Sequence, residues 1–383
     1  MKICLTVNSS PWSRFKGGGQ IAVHCLASAL SGRGHEVTVI YSKSPGEKVV
    51  PPPVPYRIVW ARHFNVATLN LNIFSFAWAL WRLTRKERFD AIHGNAEEAF
   101  FFARIASARG AAFFFTSHSP CIPATGMLGG LRRPVHFLKN LNFYLLRAAA
   151  KGARRIVVFS RFSKSLVVDG LGKDWEGRVS VVHPGVDPSW FEAKREPASR
   201  PELLFWGRLE EEKGVVELLR ALRYVAAQIP DVRLTLVGEG NAAEKCKRLA
   251  RELDIADKAV FAGWQDVPEI QELAGMSRAG IFPSRVESFG LAVAEAMAAG
   301  LPAIATRAGA LPEIVDDGVT GTLTPVGDVT ALAQAIVAAL DNPAECRRMA
   351  DRGREIMREK CSWDATAKTI AGLYEKEITG KYQ

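Results

Sequence analysis

The sequence predicts an α/β protein made of two doubly wound parallel-sheet units. Two observations carry that reading. Short, almost continuously apolar runs alternate with helical patterns along the chain, which is how parallel strands covered on both faces read. The alternation stops once, at "HPGVDPSWFEAKREPASRPE" (183–202), a stretch rich in Pro and charge with no sustained period, as a linker would be. A length of 383 residues suits two or three domains, and 48% hydrophobic with 23% charged residues is the balance of a globular chain. We place a first unit at 1–188 and a second at 189–365.

In chain order, the strands of the first unit read at 2–7 ("KICLTV"), 36–41 ("EVTVIY"), 56–60 ("YRIVW"), 90–93 ("DAIH"), 111–117 ("AAFFFTS") and 154–160 ("RRIVVFS"). The segment 42–55, "SKSPGEKVVPPPVP", reads as a loop inside that unit. The strands of the second read at 202–207, 232–238, 258–262, 279–283 and 302–306, with helices at 214–228 and 241–253 between them. A last helix covers 363–378, and there is no sequence repeat of the solenoid kind.

Several classes are disfavoured. No apolar stretch approaches the ~18 residues of a spanning helix, and "MKICLTVNSS" is too short an apolar opening for a signal peptide. A cytoplasmic location is expected. The six cysteines (Cys4, Cys25, Cys121, Cys246, Cys346, Cys361) are scattered, without metal spacing, and read as free thiols in a reducing compartment. Net charge is +10 but uneven: residues 1–200 hold 28 Lys and Arg against 12 Asp and Glu, the remainder 22 against 28. The basic half suggests an anionic partner. No nucleic-acid module is present, so nucleic acid is not expected as that partner. No full G-x-G-x-x-G follows a strand, which argues against a dinucleotide oxidoreductase.

Open α/β sheets bind ligands beyond the carboxyl ends of their strands. In the second unit those ends are followed by Arg208 and Lys213, by Glu239 and Gly240, by Trp264, and by Arg285, Glu287 and the helix-opening Gly290. A glycine-opened helix start can hold phosphate, and Arg208 and Lys213 suit a diphosphate. The same two cations could instead form surface ion pairs with Glu210, Glu211 and Glu212. Glu295 lies among Ala, Val and Met on an apolar helix, where an unpaired carboxylate would cost several kcal/mol. It either accepts hydroxyls such as those of a ribose or pairs with an arginine on a neighbouring element.

The stretch "ESFGLAVAE" (287–295) followed by "AMAAGLPAIA" resembles the E-x7-E motif of the retaining glycosyltransferases of family 4. Other signatures stand in that family's order: "GRLEEEKG" (207–214), "LVGEG" (236–240), "GALPEIVDDGVTGTL" (309–323) and "VVHPGVD" (181–187). In the first unit "GGG" (17–19), "DAIH" (90–93), His118 and "VVFSRFSK" (157–164) also match, so the resemblance spans nearly the whole chain. Ser288 stands where many members have Gly, and Ala310 replaces a frequent second Gly.

The resemblance implies the GT-B fold, two Rossmann-like domains facing a cleft, with a C-terminal helix (366–383) packing back on the first. It implies a nucleotide diphosphate sugar as donor co-substrate, bound mainly by the second domain, and an acceptor bound by the first. Glu295 would hold ribose hydroxyls, Glu287 sugar hydroxyls, and Arg208 and Lys213 the leaving diphosphate. Ser288, Phe289, Gly290 and Leu291 would line the sugar and phosphate. Gly18 and Gly19 would approach the diphosphate, with Ser160 and Gly238 beside the substrate and Trp264 near the base. His118 would lie beside the reacting centre, although a structural histidine is the alternative. No cofactor and no metal are expected; the sequence contains no Asp-x-Asp.

The acceptor is expected to be a lipid, a lipid-linked glycan or a cell-envelope glycan. "FSFAWALWRLTRKERFD" (74–90) and "LRRPVHFLKNLNFYLLRAAAKGARR" (131–155) join aromatic and basic residues and could lie on an anionic membrane. For 74–90 the favoured alternative is an apolar face packed on the sheet with a solvated charged rim; for 131–155 membrane contact is favoured. A nucleotide-sugar epimerase and a non-catalytic nucleotide-sugar-binding subunit are the competing functions.

Overall fold

The computed structural model describes residues 1–13, 18–63, 65–66, 69–70, 72–118, 144–196 and 198–380. It divides into two compact units, Met1–Gly185 with Trp363–Gln383, and Val186–Ser362. Cys121, Gly17 and 131–143 of the second basic stretch lie outside the described residues.

The first unit runs β1 (Lys2–Val7), α1 (Gly18–Gly32), β2 (Glu36–Lys43), β3 (Arg57–Arg62), the two-residue strands β4 (Asn65–Val66) and β5 (Leu69–Asn70), α2 (Asn72–Lys86), β6 (Ala91–Gly94), α3 (Phe102–Ala108), β7 (Ala112–Thr116), α4 (144–152), β8 (Arg155–Val158), α5 (Arg161–Leu171) and β9 (Val179–Val181). Seven strands form a parallel sheet in the order β3-β2-β1-β6-β7-β8-β9. Successive strand residues feed two separate cores. Phe113 and Phe115 join one with Cys4, Ile92, Phe76 and Leu80; Phe114 joins the other with Ile3, Leu5, Val23 and Leu30. Both faces are thus covered, which is why β7 is apolar at nearly every position instead of alternating.

The chain's last helix, Trp363–Thr379, belongs to this unit. Its Ala367, Ile370, Ala371 and Tyr374 enter the second of those cores. Tyr374 Oη lies 2.5 Å from His93 Nδ1, and His93 Nε2 lies 2.6 Å from Thr116 Oγ1. His93 is fully buried, and burial lowers its pKa to about 3, so this histidine is a neutral structural group.

The second unit runs α6 (Pro188–Glu192), β10 (Glu202–Trp206), α7 (Val215–Gln228), β11 (Arg233–Val237), α8 (Ala243–Glu252), β12 (Ala259–Gly263), α9 (Val267–Met276), β13 (Ala279–Phe282), α10 (Leu291–Ala298), β14 (Ala303–Thr306), α11 (Leu311–Ile314), β15 (Thr322–Thr324), α12 (Val329–Asp341) and α13 (Pro343–Lys360). Six parallel strands order as β12-β11-β10-β13-β14-β15.

Two features depart from the sequence reading. The join at 183–202 is not wholly irregular: α6 forms there because Asp187 accepts the Ser189 N–H at 2.9 Å and Pro188 opens the helix. Its Trp190 is buried and stacks on Trp206, ring centroids 5.6 Å apart. The edge strands β9 and β15, three residues each, were not read from sequence; they are too short to show a period.

Candidate active site

In the second unit the parallel strands end at one edge, and the segments that follow them build the site. Trp206 closes β10. Wedged between Trp190 and Phe282, it donates its indole N–H to Glu295 Oε2 at 3.0 Å. Glu295 projects from α10, whose Val293, Ala294, Ala296, Met297 and Ala298 are buried. Among the described residues no arginine pairs with it, and its Oε1 accepts no hydrogen bond. Burial pushes its carboxyl pKa up to about 7, against the opposing indole bond. The arginine alternative is therefore overturned: this carboxylate is held by one neutral donor and keeps one oxygen uncommitted.

Lys213 ends a short turn, and Gly214 follows in the left-handed region at φ 70°. A Cβ at Gly214 would lie 1.9 Å from the Pro283 carbonyl oxygen, so only glycine lets this loop rest on the end of β13. That approach sets Lys213 Nζ 2.6 Å from Glu287 Oε2, which Ser284 Oγ also approaches at 3.4 Å. The pair is mostly shielded, with side-chain exposures of 21% and 17%, so its attraction is screened less than a surface pair's. Arg208 takes the other outcome weighed from sequence: it is exposed and paired with Glu212.

Gly290 caps α10 at φ 97°, and a Cβ there would lie 2.4 Å from Leu311 Cδ2. Phe289 is buried, Ser288 and Leu291 half-buried, and the Glu287 carbonyl is tied to the Ala310 N–H at 2.9 Å. The Gly238 N–H donates to the Gly263 carbonyl at 2.7 Å, which joins the ends of β11 and β12. Trp264, next in the chain, is 58% exposed.

The first unit holds a second cluster. Gly18 and Gly19 open α1, and Gly19 rests against the His118 ring; a Cβ there would lie 3.7 Å from Nδ1. Asn95 donates through Nδ2 to the Thr6 carbonyl at 2.8 Å, which turns its Oδ1 toward His118 Nε2, also at 2.8 Å. An amide oxygen only accepts, so His118 carries its proton on Nε2 and presents Nδ1 as an acceptor toward Gly19. Burial lowers its pKa to about 4, so the ring is neutral at pH 7. Behind Asn95 lies Glu98, fully buried, whose Oε1 accepts from Thr6 Oγ1 and from the backbone N–H groups of Asn95 and Ala96. Burial, with the Glu97 charge adding to it, pushes its pKa up to about 8. Ser160 is fully buried and accepts the Ser163 N–H at 2.9 Å as the N-cap of α5.

Among the described residues no cluster of three or more His, Cys, Asp or Glu could hold a metal ion, and no helix is long and apolar enough to cross a membrane. Residues 186–356 match the family described as glycosyl transferases group 1, and residues 16–190 match glycosyltransferase family 4. The chain belongs to the GT-B glycosyltransferases of family 4. This glycosyltransferase is 29% identical to the glycogen synthase of Mycobacterium tuberculosis, over 96% of this chain and 93% of that one. It is 35% identical to D-inositol 3-phosphate glycosyltransferase 2 of Catenulispora acidiphila, over 59% of this chain and 57% of the relative. In fold it is similar to sucrose-phosphate synthase from Thermosynechococcus elongatus, with a TM-score of 0.80 and 24% identity over 99% of each chain. It is also similar to Anabaena HepE in complex with UDP and glucose, with a TM-score of 0.76 and 19% identity over 98% of this chain and 100% of that one.

Three residues that position the site in this glycosyltransferase were not singled out from sequence. Trp206 falls within the 202–207 strand of the sequence reading, and its bond to Glu295 spans 89 positions. Asn95 follows β6 and Glu98 lies in the short 3-10 helix after it (Glu97–Phe101), where single polar residues carry no periodic signal. The only cue to Asn95 was its place just after a buried strand, beside the "DAIH" match.

Proposed function

We propose that this glycosyltransferase moves a hexosyl group, with retention of anomeric configuration and without a metal, from a nucleotide diphosphate sugar to a lipid, a lipid-linked glycan or an envelope glycan. The observation that carries the donor half is Glu295, a desolvated carboxylate held by one indole with an oxygen left over. Vicinal hydroxyls, as on a ribose, complete such a group better than water does in a low-dielectric site. Glu287, steadied by Lys213, would accept donor-sugar hydroxyls, and Lys213 would lie where the leaving diphosphate gains charge. The N–H groups opened by Gly290 add to that stabilisation. Neutral His118 would accept a hydroxyl hydrogen at Nδ1.

The acceptor half rests on α2. Ile73, Phe76, Ala79 and Leu80 are buried against the sheet, as the packing alternative requires. The opposite face nonetheless exposes Phe74, Trp78 and Trp81, with Arg82 over Trp78 and Arg85 over Trp81. Tryptophan with arginine at one helix face suits the interfacial zone of an anionic membrane.

The test is a melting-temperature screen against uridine, guanosine and adenosine diphosphates and their sugars, followed by transfer from the best donor to a lipid extract with the product's anomeric configuration read by NMR. A donor that stabilises the protein and yields a retained glycoside on lipid supports the reading. Interconversion of the free nucleotide sugar without transfer would favour an epimerase, and binding without either reaction a non-catalytic subunit.

A further inference from the structure

The second unit contains a cavity of about 390 Å³ at the amino ends of β13 and β14, the sheet edge opposite to the one that carries Glu287 and Gly290. Four guanidiniums line it, those of Arg195, Arg278, Arg347 and Arg354, against one carboxylate, Asp351. They come from three places in the chain: the segment after α6, the residue before β13, and two positions on α13. Arg195 donates to the Ala274 and Ser277 carbonyls at the end of α9, and Arg354 to the Phe191 carbonyl. Among the described residues Arg278 reaches only the Ser199 carbonyl, at 3.4 Å. Among the described residues none of the four is within ion-pair distance of an acid, and the buried Nε of Arg354 has no hydrogen-bond partner.

Such a cluster is costly by itself. Burial, then the charges of Arg347 and Arg278, lower the Arg195 pKa to about 10. Like charges gathered without counter-ions repel, and guanidinium forks match phosphate oxygens in geometry. Five arginines elsewhere in this unit, Arg208, Arg285, Arg307, Arg348 and Arg352, do have an acid partner. The cavity is larger than a single phosphate requires and lies in the lower part of the range for small-molecule sites. Gly300 helps shape the floor: a Cβ there would lie 3.6 Å from Arg354 Cδ and 4.0 Å from Arg195 Cγ.

We propose that this arginine cavity is a binding site for a soluble phosphorylated metabolite, a phosphomonoester or diphosphate on a small polar body, separate from the donor site. The proposal does not rest on the transfer reaction. Arg278 and Arg347 hold the anion, and Arg195 and Arg354 fix the cavity wall through their carbonyl contacts.

The experiment is calorimetric titration of the full chain with pyrophosphate and with glucose 6-phosphate at constant ionic strength. Three proteins are compared: wild type, Lys213→Ala and Arg278→Gln/Arg347→Gln. One saturable site is expected in wild type, retained in Lys213→Ala and weakened at least tenfold in the double variant. Arg347 is exposed, so Arg347→Gln alone, with an unchanged melting temperature, serves if the double variant folds poorly. Equal binding by wild type and the arginine variants, or loss of binding in Lys213→Ala only, overturns the proposal. No heat from either phosphate in wild type also overturns it. Binding of phosphatidate vesicles through Arg278 and Arg347, with no response to the free phosphates, would assign the cavity to a lipid headgroup and overturn the soluble ligand.

Discussion

Glu295 shows what a single residue can decide. Its folded pKa of about 7 is above the ordinary 4.5, so between those values the native state binds a proton that the unfolded chain has released. Stability therefore declines as pH rises through that window and levels off above about 7. Glu295→Gln removes this contribution and is expected to raise unfolding stability at pH 8 by about 1–3 kcal/mol. The same change should weaken nucleotide-sugar binding at least tenfold, and wild-type affinity should improve as pH rises through about 7. Denaturant unfolding and calorimetry at several pH values check both; unchanged affinity in Glu295→Gln would remove the ribose from the account. Asn95 offers a second residue-level test. Asn95→Ala takes away the acceptor that fixes the His118 proton on Nε2, so imidazole nitrogen NMR should show mixed tautomers and the transfer rate should fall about tenfold or more. That Glu295 was a special carboxylate could be read from its apolar neighbours. That tryptophan would hold it could not, because a contact across the sheet leaves no local pattern.

At the scale of elements, the central strands were legible because they are buried on both faces, and a continuous apolar run is a strong signal. The exceptions are instructive. "VSV" in β9 and "TLT" in β15 are edge strands embedded in segments that read as motif or join. The helix α6 was hidden by the proline that in fact starts it. The loop between β10 and α7 carries the element-level prediction. Gly214→Ala must accept both a left-handed backbone and a clash with the Pro283 carbonyl, so a loss of about 2–4 kcal/mol is expected in thermal or denaturant unfolding. Any folded Gly214→Ala protein should also lose donor affinity, because the same contact sets Lys213 beside Glu287. Retention of full stability and binding would show that the loop is not positioned by this approach.

For the whole molecule, the exposed aromatics of the first unit make the proposed acceptor side testable. Its α2 leaves Trp78 and Trp81 outside the core, each under an arginine. Trp78→Ala/Trp81→Ala should reduce partition to phosphatidylglycerol vesicles about tenfold at low salt while leaving nucleotide affinity unchanged. Sedimentation with vesicles decides it; equal partition of variant and wild type would leave these rings as ordinary surface. The division of the chain has a further consequence. Tyr374 supplies a hydroxyl to His93 from 281 positions away, so the sheet that emerges first from the ribosome lacks part of its interior until the last helix has been made. Residues 186–362, by contrast, are contiguous and can complete their own core during synthesis. The later-made unit is thus the first that can finish folding, and the earlier one waits with Ile3, Leu5 and Phe114 incompletely covered.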